Sequence, residues 1–141
     1  MPQDFFRRET ELLAGEPQVA TRTILLVEDD LDLGSFLAEA LAQGTSCRVI
    51  VATTSHAALH LVQHVTPDLL LLDYGLPDMN GIALYDHLHT KAAFAAVPAI
   101  LITASRSVPQ EQLTQRQLIT FEKPFDLVAL LEAIQALLNS P

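Results

Sequence analysis

Four consecutive leucines, Leu69 to Leu72, stand between Pro67-Asp68 and Asp73, and no other stretch limits the possible folds of this chain so tightly. The run is too short for a confident helix and carries no polar alternation, so it reads as a strand buried on both faces, the signature of a parallel sheet covered by helices. Asp73 then falls at the carboxyl end of that strand. Directly after it, Gly75, Pro77, Asp78, Asn80 and Gly81 form a loop too rich in turn residues to continue regular structure. In open parallel sheets, ligands bind outside the carboxyl ends of the strands. Asp73 is therefore a carboxylate held where chemistry is usually done.

The rest of the chain repeats the pattern. Thr23 to Val27 reads as a buried strand ending in the acidic triplet Glu28-Asp29-Asp30, and the helix after it is expected to bury Phe36, Leu37, Ala40 and Leu41 and to stop at Gly44. Cys47 to Ala52 is a second strand. Thr54 or Ser55 caps a helix whose buried face is Ala58, Leu61, Val62 and Val65. After the Asp73 loop come a helix from about Ile82 to His89 and a strand over Pro98 to Ile102 that ends in Thr103-Ala104-Ser105. Arg106 to Arg116 makes only a poor helix, because Pro109 interrupts a weakly periodic segment. A short strand, Ile119 to Glu122, leads into Lys123-Pro124, and a last helix has Asp126 as N-cap with Phe125 and Leu130 spaced as a hydrophobic staple. Met1 to Arg22 lacks a sustained period and is expected to be a tail, with a short helix possible over Phe5 to Leu13.

Strands alternating with helices imply right-handed crossovers and a parallel sheet, and the expected architecture is a flavodoxin-like (βα)5 three-layer sandwich of strand order 2-1-3-4-5. At 141 residues, half of them hydrophobic, one domain over 23–139 accounts for the chain, and no separate output domain is expected. A single cysteine, Cys47, excludes an internal disulfide and reads as packing, so a reducing, cytoplasmic setting is the default. No apolar run approaches a bilayer span. A net charge of −9 argues against general binding to nucleic acid or to an anionic membrane.

In that strand order the first and third strands are neighbours, so Glu28, Asp29 and Asp73 should converge in one crevice, with Thr103 and Lys123 on the same rim. Three carboxylates brought together repel unless a cation joins them, and hard oxygen donors suit Mg2+ or Mn2+. Lys123 and Thr103 supply the charge and the hydroxyl that hold a phosphoryl group, which makes Asp73 the candidate nucleophile.

The motifs LLVEDD, LLLLDYGLPDMNG, ILITAS and FEKPF, in that order, resemble those of the receiver domains of bacterial response regulators, of the single-domain kind similar to the chemotaxis regulator. The resemblance runs from about Thr23 to Asn139. It implies that Asp73 accepts a phosphoryl group from a sensor histidine kinase or a histidine phosphotransfer protein, with Mg2+ held by Glu28, Asp29, Asp73 and the Gly75 carbonyl. It implies further that Thr103, Lys123 and the backbone N–H groups of Tyr74 and Ala104 hold phosphoryl oxygens, that the Lys123-Pro124 bond is cis, and that the signal leaves through contact with a downstream protein. The implied chemistry is that of a phosphoacceptor assisting its own phosphorylation rather than of a turnover enzyme. Three positions depart from the family pattern. Thr120 stands where an inward-turning aromatic is usual, with Phe121 on the opposite face of its strand. The segment between Thr103 and Lys123 is slightly short, and Gly75 has no side chain to guide a hydrolytic water.

Three other readings compete: a non-switching scaffold, a phosphorelay shuttle to a second histidine, and an aspartyl-phosphate phosphatase, which would need a cap insertion or a second acid where Gly75 stands. His56, His60 and His64 recur at helical spacing, as a solvated polar face, as a site for Zn2+ or Ni2+, or as a pH sensor. His87 and His89 point to different faces, and Asp78 and Asn80 read as residues that fix the loop.

Overall fold

The computed structural model describes residues 21–104 and 108–140. Five parallel strands form one sheet in the order β2-β1-β3-β4-β5, with β1 at Thr23–Val27, β2 at Arg48–Ala52, β3 at Leu69–Asp73, β4 at Ala99–Thr103 and β5 at Ile119–Glu122. Helices α1 (Leu31–Gly44), α2 (Ser55–Leu61), α3 (Gly81–His89), α4 (Gln110–Arg116) and α5 (Leu127–Leu138) connect and cover them. This is the expected flavodoxin-like sandwich. The possible helix over Phe5 to Leu13, Ser105 and Arg106 lie outside the described residues.

Strand alternation splits the leucine run between two cores. Leu70 and Leu72 face one side of the sheet with Leu25, Val27, Ala99 and Leu101, against Ala58, Leu84, Leu88 and Leu113. Leu69 and Leu71 face the other with Ile24, Leu26, Ile100 and Ile102, against Leu37, Leu41, Leu130 and Ile134. Every residue of β1, β3 and β4 is buried, which explains their unbroken apolar character, whereas the edge strands β2 and β5 are partly exposed. Cys47 is buried in the second core.

The helix termini follow the side chains available to them. Asp30, Thr54, Asn80 and Asp126 each accept backbone N–H groups as N-caps. Leu130 is fully buried and Phe125 packs against the same core, as a staple requires. The poorly periodic segment forms the two-turn α4, stopped by Gln117 in the left-handed region at φ 56°.

Four details differ from expectation. Phe36 is 56% exposed, because Leu37 and Leu41, with Gly34, form the buried line of α1 and Phe36 sits to one side of it. A 3-10 turn over Ala92–Phe94 buries Phe94 with no periodic pattern to announce it. In the second helix, α2 ends at Leu61, so Val62 and Val65 of its expected face lie in the turn beyond it. Arg22 is already part of the fold: its carbonyl accepts from Arg48 N at 2.8 Å and its guanidinium donates to Leu138 O at 2.6 Å.

Candidate functional site

The sheet register sets the crevice. Val27 pairs with Leu72, so Glu28 and Asp73 emerge side by side from neighbouring strands, and Asp73 in turn lies opposite Ile102, one residue before Thr103. Carboxylate oxygens of Glu28, Asp29 and Asp73 all lie within 4.8 Å of one another. They are the only group of three or more metal-ligating side chains so arranged among the described residues. Glu28 and Asp73 are buried and Asp29 is exposed, so the trio opens to solvent on one side.

Each acid of the triplet has a separate task. Asp30 caps α1. Glu28 is 1% exposed and fixed at both oxygens: Oε2 accepts from Asp30 N at 3.0 Å, and Oε1 accepts from Lys123 Nζ at 3.1 Å. Burial, aided by the charge of Asp73 and opposed by those two hydrogen bonds, raises the Glu28 carboxyl from 4.5 to about 7. Asp29 is left free to meet a cation.

Lys123 reaches the crevice from just past β5, where its N–H donates to Thr103 O at 2.8 Å and its bond to Pro124 is cis. Nζ lies 3.5 Å from Asp73 Oδ2. Burial disfavours its charge, but the hydrogen bond to Glu28 and the charges of Asp73 and Glu28 outweigh that, and its pKa is raised. The lysine is held as a cation against two carboxylates. Thr103 is 2% exposed at the end of β4, and Ala104 is exposed beyond it.

The backbone around Asp73 is arranged differently from expectation. Tyr74 N–H is spent on the sheet, donating to Ile102 O at 2.8 Å. The N–H that faces the carboxylate is that of Gly75, which donates to Asp73 Oδ1 at 3.1 Å. A motif read residue by residue cannot show which amide the ladder consumes; the parallel register decides it.

The loop is anchored at both ends. At its far end Gly81 donates to Tyr74 O at 3.0 Å and abuts the strand so closely that a Cβ there would lie 2.6 Å from Asp73 O. In its middle Asp78 leaves the loop and clamps the start of α2, accepting from Ser55 N at 3.0 Å, His56 N at 2.9 Å and, at 2.5 Å, facing His56 Nδ1. Ser55 Oγ returns a bond to Met79 O at 2.7 Å. Although partial desolvation works the other way, the bonds from His56 and Ser55 hold the Asp78 carboxyl below the usual carboxylate range. Sequence reading gave Asp78 only a local turn and missed this partner, which lies 22 residues earlier in the chain.

Elsewhere, His89 places Nδ1 2.9 Å from Tyr85 O and Nε2 3.0 Å from Val97 O, joining the end of α3 to the approach of β4. Thr120 lies in the middle of β5, and its Oγ1 is the one buried side-chain polar atom without a hydrogen-bond partner among the described residues. Phe121 packs with Phe125 on the opposite face of the sheet.

The sheet order and the acid-and-lysine crevice at its switch point place the protein in the doubly wound class of α/β proteins, whose ligands bind outside the carboxyl ends of the strands. Within it, the chain belongs to the response regulator receiver domain family of two-component systems, whose family model matches residues 24–135. Protein Rrf1 of Nitratidesulfovibrio vulgaris is 31% identical over 111 residues, covering 79% of this chain and 78% of that protein. The transcriptional regulatory protein ZraR of Salmonella typhimurium is 34% identical over 114 residues, 79% of this chain but only 25% of ZraR. Among solved structures, the non-phosphorylated HemR receiver domain from Leptospira biflexa is 34% identical with a TM-score of 0.74, covering 86% of this chain and 97% of that one. The chemotaxis response regulator CheY4 of Vibrio cholerae shares the fold, with a TM-score of 0.75 at 19% identity over 84% of this chain and 99% of that one. No helix among the described residues is long and apolar enough to cross a membrane.

Proposed function

We propose that residues 23–139 form a receiver that takes a phosphoryl group from a phosphohistidine onto Asp73. The observation that carries this reading is Asp73 itself: a buried carboxylate at a strand end, within 4.8 Å of two further acids and 3.5 Å from Lys123 Nζ. An Asp73 carboxylate oxygen forms the new P–O bond in line with the breaking P–N bond, and the donor imidazole leaves with the electron pair and recovers a proton. Lys123, Thr103 and the Gly75 and Ala104 N–H groups are assigned to the phosphoryl oxygens.

The all-oxygen donor set of Glu28, Asp29, Asp73 and the Gly75 carbonyl fits Mg2+ or Mn2+, with Glu28 acting mainly through water because both its oxygens are already engaged. Such an ion offsets the charge that gathers on the transferring group. The phosphoryl group, carrying about −1.5 to −2 where the carboxylate carried about −1, then biases an inactive/active equilibrium, and the signal passes to a partner protein through α4, β5 and α5. Gly75 leaves room beside the carboxylate, since a Cβ there would lie 3.9 Å from Asp73 Oδ1, so hydrolytic water is unguided and the phosphorylated state is long-lived.

A scaffold that binds without switching is the second reading, favoured by the threonine at position 120. Amide NMR spectra recorded with beryllofluoride and Mg2+ separate the two. Wild type is expected to show Mg2+-dependent shifts that Asp73→Asn lacks, and their absence defeats the phosphoacceptor assignment. Shifts confined to the crevice, with none in α4 or β5, favour the scaffold.

A further inference from the structure

The three histidines that recur along α2 and the turn after it do not form one cluster. His56 is taken by Asp78, whose carboxylate faces its Nδ1 at 2.5 Å. His60 and His64 are left as a pair on the exposed surface, with ring centroids 5.6 Å apart at 69°, and neither ring has a hydrogen-bond partner among the described residues. The backbone between them is a hydrogen-bonded turn running on from α2, with Gln63 N donating to His60 O at 3.2 Å and His64 N to Leu61 O at 3.0 Å, which fixes the offset of the two side chains.

We propose that His60 and His64 chelate a borderline divalent ion, with Zn2+ as the reference case and Ni2+ and Cu2+ as relatives in ligand preference. An imidazole nitrogen binds Zn2+ at about 2.0–2.1 Å, which puts the ring centre roughly 3.2 Å from the ion, and two rings at the tetrahedral angle of about 109° then have centres roughly 5.2 Å apart. The observed 5.6 Å is within a few tenths of an ångström of that spacing, a difference that rotation of the two exposed rings can take up. Two further features favour a cation there. The pair straddles the C-terminus of α2, the negative end of the helix dipole, and the chain as a whole carries −9. Two protein ligands leave the remaining positions to water, so this is a surface site that loads and unloads with available metal. The acidic trio at Asp73 is its chemical opposite, all oxygen and suited to Mg2+. The site is independent of phosphoryl chemistry.

The test is Zn2+ binding by calorimetry and by the imidazole signals in NMR, in excess Mg2+ and in the Asp73→Asn background, so that the acidic trio does not compete. Chelation predicts that His60→Gln and His64→Gln each weaken Zn2+ binding about tenfold or more, and that the double variant is little weaker than either single one, because one ring alone has already lost the chelate advantage. His56→Gln is expected to leave the affinity unchanged. Single variants that lose little each and add up in the double variant would show two independent histidines and overturn the proposal, as would a dependence on His56 as large as that on His60.

Discussion

Replacing Glu28 by glutamine removes a carboxyl that burial and Asp73 hold near neutrality. Its value rises from 4.5 to about 7 on folding, so the folded chain binds more protons than the unfolded chain across that window, and stability falls as pH rises through it. At about 1.4 kcal/mol per unit, the full shift amounts to roughly 3 kcal/mol once both states are ionised. Glutamine titrates in neither state. Loss of the hydrogen bond from Lys123 adds an offset, but that lysine stays charged throughout, so the offset is independent of pH. The quantity to read is the change in the difference between variant and wild type. Without metal, the variant should gain roughly 2–3 kcal/mol relative to wild type between about pH 5 and about pH 8, seen in urea melts as a relative midpoint shift of about 1 M or more. Excess Mg2+ should flatten the wild-type profile by stabilising the ionised trio. A difference equal at both pH values would refute the account of Glu28 as a buried, destabilised acid.

Three further expectations test other parts of the frame. Thr120→Val removes a buried hydroxyl with no partner and should stabilise the fold by about 1 kcal/mol; a loss of stability in thermal melts would mean that the hydroxyl is bonded after all. Gly81→Ala forces a Cβ to within 2.6 Å of Asp73 O and 2.8 Å of Leu101 Cδ1, and should cost about 1–3 kcal/mol or more, whereas an unchanged melting temperature would sink the close-approach argument. Asp78→Ala should strip hydrogen-exchange protection from the Ser55 and His56 amides while leaving β1 and β3 protected. Because the Asp78 carboxyl is held low, wild-type protection there should persist as pH falls through the ordinary carboxylate range and be lost only below it; early loss would refute the clamp.

Much of this site is legible in sequence because parallel strands deliver it. Once TILLV, LLLLD and AILIT are recognised as doubly buried strands, the residues following each must meet along one rim, and Glu28, Asp29, Asp73, Thr103 and Lys123 do. What stayed hidden depends on register and on contacts between loops. The ladder takes Tyr74 N–H and leaves Gly75 N–H facing the carboxylate. Asp78 finds its partners on a helix that precedes it, a pairing no local pattern encodes. Phe36 has the spacing of a core residue and is nonetheless exposed, since a short apolar stripe leaves its own edge undefined.

The contact between Gly81 and the end of β3 gives the crevice a stiff side and a compliant one. With backbone against backbone, the tail of the strand has no slack toward α3. On the other side, a cleft of about 410 Å³ runs between β5 and α4, lined by Thr103, Leu113, Leu118 and Thr120 among others. The crevice is thus bounded by packed backbone on the α3 side and by open space on the α4 side.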